Sequence, residues 1–178
     1  MPAFDPRGDS VIQTSIDWSL FRQGFVVLFW SQEVLDRTVE QLHDLSYKLL
    51  VLDASKWQSI DDLHDDISST LNFSTYYGRN FNALDDCLSD VAMHEYGSDA
   101  ASTGTVLVFG GFGDFHQLAP DVAEGLLDIF ANKARVAALV GHRMICLIQD
   151  DDASVKYPLV GGNRVRWNQF EFQDSRRR

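Results

Sequence analysis

The sequence predicts an α/β fold with a mainly parallel sheet flanked by helices. Two observations carry that prediction. Short, almost continuously apolar runs recur at residues 25–30, 49–52, 106–109 and 144–148. Strands that are apolar at nearly every position are buried on both faces, as in parallel sheets. Between these runs, apolar residues fall three and four apart, the spacing of amphipathic helices. The chain has 178 residues, no internal repeat and no low-complexity linker, so one domain over 1–178 is expected.

The elements follow in order. Residues 1–14 carry Pro2, Pro6 and Gly8 without a period and read as a loose lead-in. Residues 25–30 read as a buried strand. From Ser31, the positions Val34, Leu35, Val39, Leu42 and Leu45 give an amphipathic helix. The run 49–52 suits a central strand. Ser59 with Asp62 three residues on is a capping-box-like start. The helix it opens has Ile60, Leu63, Ile67 and Leu71 as its inward stripe and Asp61, Asp62, Asp65 and Asp66 on its outer face. Residues 106–109 form a strand ended by Gly110 and Gly111, and a loop is expected before Pro120, which suits a first helical position. Val122, Leu126, Ile129, Phe130 and Ala134 make a long helix, and 144–148 another buried strand. Val165, Trp167, Phe170 and Phe172 suggest an extra strand pair or an irregular edge.

Bulk properties exclude several classes. A hydrophobic fraction of 45% and an aromatic fraction of 12% are those of a globular protein. No apolar run approaches the roughly 20 residues that cross a bilayer, and residues 1–13 lack the pattern of a secretory leader. A cytoplasmic protein is expected, with no membrane partner. Cys87 and Cys146 do not form a metal-type pair and are expected as reduced, small buried side chains. The formal net charge of −11 disfavours nucleic acid and allows a basic partner. The basic run at 176–178 is expected to be solvated.

The most informative stretch is the helix expected to start near Asn80, a good N-cap residue. At about 100° per residue, Phe81, Ala83, Leu84, Cys87, Leu88 and Val91 share one side. Asn82, Asp85, Asp86, Ser89 and Asp90 share the other. Tyr76, Tyr77 and Gly78 stand just before it. An aromatic pair, a glycine that permits close approach and a row of carboxylates suit a surface that meets a cationic protein. An ordinary solvated acidic face has the same composition, so the order of the residues matters more than their kinds.

That order, Tyr76, Tyr77, Gly78, Asn80, Ala83, Leu84, Asp86, Cys87 and Leu88, resembles the signature of the barstar family of ribonuclease inhibitors. The likeness covers about residues 48–150, leaving an N-terminal extension at 15–47 and a C-terminal one at 151–178. It implies a three-layer barstar-like fold and a non-enzymatic inhibitor of a basic, barnase-like ribonuclease or related toxin nuclease. No cofactor, metal or catalytic residue is implied, and the free chain is expected to be a monomer. By the resemblance, Asp86 matches the dominant acid that enters a phosphate subsite of the enzyme. Tyr76 matches the ring that packs on the catalytic histidine, and Gly78 and Asn80 match loop positions close to the enzyme. The expected partner-binding set is Tyr76, Tyr77, Gly78, Asn80, Asn82, Asp85, Asp86, Ser89 and Asn132.

Three positions depart from the family pattern. Asn82 replaces a second aspartate, Asp85 a tryptophan and Asn132 a glutamate. Charge-assisted contacts are the strong ones, so these changes point away from barnase itself, toward a relative with a differently arranged cationic site. Other readings stay open. The same patch could serve an immunity or regulatory protein with a non-ribonuclease partner. Asp53 and Asp150–Asp152, after parallel strands, could hold Mg²⁺ in a phosphoryl enzyme. Cys87 with His94, and His64 with Asp61 and Asp65, are weaker catalytic and metal candidates.

Overall fold

A computed structural model describes residues 15–171. The lead-in expected at 1–14, Phe172 and the 176–178 run lie outside the described residues. The chain runs through α1 (Ile16–Phe21), β1 (Val26–Phe29), α2 (Gln32–Asp44), β2 (Lys48–Asp53), a short 3-10 turn (Ala54–Lys56), α3 (Ile60–Thr70) and α4 (Phe81–Ala92). Then come β3 (Thr105–Gly110), α5 (Phe112–Leu118), α6 (Pro120–Leu139), β4 (Met144–Gln149), β5 (Leu159–Val160), β6 (Asn163–Arg164) and β7 (Arg166–Trp167).

Five strands form one sheet in the order β2-β3-β4-β1-β7, with every neighbouring pair parallel. The apolar runs alternate across it because successive side chains leave opposite faces of a strand. Leu28, Leu50, Leu52, Leu107, Phe109, Cys146 and Ile148 pack with α3, α4, α5 and α6. Val27, Phe29, Val106, Val108, Ile145 and Leu147 pack with Leu20 of α1 and with Leu35 and Leu42 of α2. The result is three layers, with helices on both faces of a mainly parallel sheet, as the sequence predicts.

Several local expectations change. The 49–52 run was expected in a central strand, but β2 is the edge of the sheet. Its buried residues Leu50 and Leu52 face one core, while Val51 on the other side is 61% exposed. A continuous apolar run cannot distinguish these positions, because the neighbours that cover a strand come from elsewhere in the chain. Ile60 was placed on the inward stripe of α3, yet it is half-exposed at the first helical turn, while Leu63, Ile67 and Leu71 are buried. The segment after Gly110 was expected as loop and contains α5. Gly111 takes the left-handed conformation at φ +61 as its N-cap, and Phe112 and Phe115, three apart, bury both rings.

The segments flanking 48–150 complete the sheet. β1 lies between β4 and β7, and Phe25 accepts from Cys146 through their backbones (2.8 Å). Of the C-terminal aromatic segment, Trp167 lies in a short parallel strand, β7, beside β1, whereas the strand pair, the β5–β6 hairpin around Gly161 and Gly162, precedes that segment. The buried Glu171 carboxylate accepts from the backbone N–H groups of Trp30 (3.2 Å) and Ser31 (2.7 Å). It thereby neutralises donors at the start of α2.

Candidate partner-binding face

The apolar side of α4 fixes which side faces outward. Leu84, Leu88, Val91 and Ala92 are buried. Burial of one leucine contributes about 2 kcal/mol, more than an exposed ion pair at about 0–1 kcal/mol, so packing sets the rotation of the helix. Phe81 reaches α6 at Gly125, where an added Cβ would lie 2.6 Å from the ring.

The turn before α4 is cross-braced. Asn80 caps the helix: its Oδ1 accepts from the Ala83 N–H (2.9 Å) and its Nδ2 donates to the Gly78 carbonyl (2.9 Å). A Cβ on Gly78 would sit 3.1 Å from that Nδ2 and 3.3 Å from the Ala83 Cβ, so the compact turn favours glycine. Arg79, at φ +49, holds Asp65 and Asp61 of α3, the latter at 3.3 Å.

The two tyrosines separate in function. Tyr76 is 94% exposed and has no partner among the described residues. Tyr77 turns inward instead. Its hydroxyl meets the buried His64 Nδ1 at 2.6 Å, and its ring stands edge-on to Phe73 at 5.0 Å. Burial pushes its phenol up to about 12, so it remains protonated. An outward aromatic pair was expected; one ring is presented and the other holds the loop. Helical periodicity does not reach residues in a turn, so the sequence does not reveal this division.

On the polar side of α4, Asn82, Asp86 and Asp90 are exposed and four residues apart, so they form one row. The side chains of Asn82 and Asp86 have no hydrogen bond or ion pair among the described residues. Asp85 differs: its Oδ2 accepts from Lys133 Nζ of α6 at 2.6 Å, and its side chain is 44% exposed. The acid expected as a new contact is therefore already paired within the chain. Ser89 donates back to the Asp85 carbonyl (2.9 Å). Asn132 donates to Asp128 (3.1 Å) and accepts from Arg135 (3.1 Å), so its amide serves α6. Lys133 was not a sequence candidate, since no periodicity links position 85 to position 133.

The catalytic alternatives are not assembled. His94 stacks on His142, with centroids 3.8 Å apart, and its Nδ1 bonds Ser98 Oγ at 3.0 Å rather than Cys87. Asp61 and Asp65 hold Arg79, while His64 holds Tyr77. Asp53 bonds Ser55 (2.6 Å) and Lys56 (3.0 Å) at the edge strand. Asp150, two strands away, accepts from Tyr157 (2.9 Å) and the Asp152 N–H (3.0 Å). Among the described residues no group of three or more His, Cys, Asp or Glu is placed to hold a metal.

With this geometry in view, residues 47–149 match the family model described as Barstar (barnase inhibitor). The chain belongs to the barstar family. The description is that of a family of inhibitors, not of enzymes. A stretch of 40 residues is 45% identical to a Bacillus subtilis (strain 168) protein named "Putative ribonuclease inhibitor YrdF". That stretch covers 22% of this chain and 44% of the relative, less than half the length of either. In this barstar-family chain, the matched region contains α4, its preceding turn and all of α6, so the candidate face lies wholly inside it.

Proposed function

We propose that this barstar-family protein inhibits a basic ribonuclease by laying the α4 face and Tyr76 over the enzyme's cationic active site. The observation that carries the proposal is the unpaired Asp86, in one row with Asn82 and Asp90 and following an almost fully exposed Tyr76. A carboxylate left without a partner on a rigidly packed helix is preorganised to accept from lysine or arginine. The contact set on this reading is Tyr76, Asn82 and Asp86, with Gly78 and Asn80 shaping the turn. Tyr77, Asp85 and Asn132 act through the fold. The amide at position 82 and the Lys133–Asp85 pair make the face less acidic than its composition suggests, which favours a nuclease other than barnase.

The test is inhibition of a basic barnase-class ribonuclease by the purified chain, with Asp86→Ala and Tyr76→Ala beside it. Tight one-to-one inhibition that both substitutions weaken supports the reading. Inhibition unchanged by either would show that another surface binds the enzyme.

A further inference from the structure

The two edges of the sheet are unlike. β7 is two residues long, whereas β2 runs for six residues in unbroken register with β3. A long, regular, apolar edge strand presents a row of backbone donors and acceptors, and native proteins ordinarily interrupt such a row with proline, a bulge or charge. β2 has no proline and no bulge, and its charged residues, Lys48 and Asp53, stand only at its ends. Lys48 donates to the Gly104 carbonyl (2.9 Å), so the backbone groups of Lys48, Leu50 and Leu52 turn toward β3. Those of Leu49, Val51 and Asp53 turn away from the sheet. Neither Leu49 nor Val51 has a partner for these groups among the described residues. The side chain of Val51 is uncovered as well. α1 and α2 cover its face of the sheet over β1, β3 and β4, but Val51 itself is 61% exposed.

We propose that β2 pairs antiparallel with β2 of a second copy of this chain, joining two sheets into one across a two-fold axis at Val51. The register selects this occupant. Centred on Val51, an antiparallel pair sets Val51 against Val51 of the second copy and Leu49 against Asp53 of the second copy. Every outward residue of the strand then meets an outward residue, and each such pair exchanges both N–H···O=C bonds. The same axis places the two exposed valines opposite each other, with Cα atoms about 5.5 Å apart and Leu49 of the other chain as a diagonal neighbour. Valine suits such cross-strand pairs. The Asp53 carboxylate is already held by Ser55 (2.6 Å) and Lys56 (3.0 Å), so no bare charge enters the pairing. The contact uses one patch on both chains and leaves only the short β7 edge over, so it closes as a dimer rather than growing into a fibre. Edge pairing covers less surface than a standard interface of about 1,600 Å², so the dimer is weak, with a dissociation constant on the order of 10–100 µM. Below that range the chain is the monomer expected from the family resemblance.

The pairing uses no residue of the inhibitory face, so its test is independent of the proposed inhibition. The experiment is sedimentation velocity of the full chain between about 1 and 500 µM. Monomer giving way to dimer across that range is expected. Val51→Lys sets two like charges opposite each other at the axis and should weaken dimerisation about tenfold or more. Its thermal melt should be unchanged, because the side chain it replaces is exposed. Val51→Pro removes an outward N–H without touching the β2–β3 ladder, a place where an edge strand tolerates proline, and should weaken the dimer likewise. Asp86→Ala should leave it intact. A chain that stays monomeric throughout, as it would if the edge served an extended segment of another protein, overturns the proposal. So does a dimer that survives both Val51 substitutions, which would place the contact on another surface.

Discussion

In α3, every carboxylate of the acidic face is engaged within the chain: Asp61 and Asp65 hold Arg79, Asp62 accepts from the Gln58 N–H (2.9 Å) and Ser59 Oγ (3.0 Å), and Asp66 accepts from Trp57 Nε1 (2.7 Å). In α4, Asp85 is engaged by Lys133, while Asp86 has no partner among the described residues. The two helices look alike in sequence, each with a buried stripe and an acidic side. What separates them is where cations and donors fall in three dimensions. Asp61 and Asp65 brace the turn that leads into α4, Asp62 and Asp66 hold the segment before α3, and Asp86 remains free for a partner. Acidic composition therefore marks both helices, whereas the absence of an internal partner singles out one.

Substitutions can break or sharpen this contrast. The largest effect is expected from Asp86→Ala, which should weaken binding to a basic ribonuclease by at least ~30-fold, about 2 kcal/mol, with little change in melting temperature. Tyr76→Ala should follow closely. Competition titrations beside a thermal melt measure both quantities. Asp62→Ala supplies the contrast from α3: it should lower the melting temperature and leave binding as it was. If it weakened binding as much as Asp86→Ala does, the division between the helices would be lost.

Tyr77→Phe should cost about 1 kcal/mol of stability by removing the hydrogen bond to His64. Binding should stay within about threefold of the parent. Denaturant unfolding and the same titration separate the two effects, and a binding loss without a stability loss would return Tyr77 to the interface.

Acid should act on the framework as well. Burial holds His64 below the usual histidine value, with Arg79 adding to the effect, and burial with the neighbouring His94 does the same to His142. Below about pH 6.5 the unfolded chain then binds more protons than the folded one, so stability falls with decreasing pH until the folded values are passed. Asp150 is raised by burial and works the other way, gaining stability as pH falls through its own range. A melting temperature that drops between pH 7 and pH 5.5, with a shallower slope in His142→Gln, is the expected result. A flat profile would mean that neither imidazole is held neutral by the fold.

The smallest effect is expected at Lys133→Ala. Releasing Asp85 should speed association with a basic partner a few-fold at low salt and cost no more than about 1 kcal/mol of stability, because the carboxylate is half-exposed. Stopped-flow mixing across a salt series measures it, and unchanged rates would leave Asp85 a structural residue alone.

Much of this design is legible in the sequence. The alternation of apolar runs with helical spacing predicts the parallel sheet and its two helical layers. Ser59 and Asn80 mark their helix starts, and the 80–91 pattern predicts which side of α4 is buried. These are local properties, set by periods of two and 3.6 residues and by side chains that reach three positions along the chain. The 76–88 order carries the resemblance to the barstar family, and the family match spans that segment. Three-dimensional structure decides the rest. It places β2 at an edge, turns Tyr77 onto His64 and joins Asp85 to Lys133. Each depends on residues far apart in sequence that meet only when α3, α4 and α6 pack on the sheet. The sequence thus determined which side of α4 faces outward, and the tertiary structure decided which of its groups remain without a partner, because a charge is neutralised by its neighbours in space.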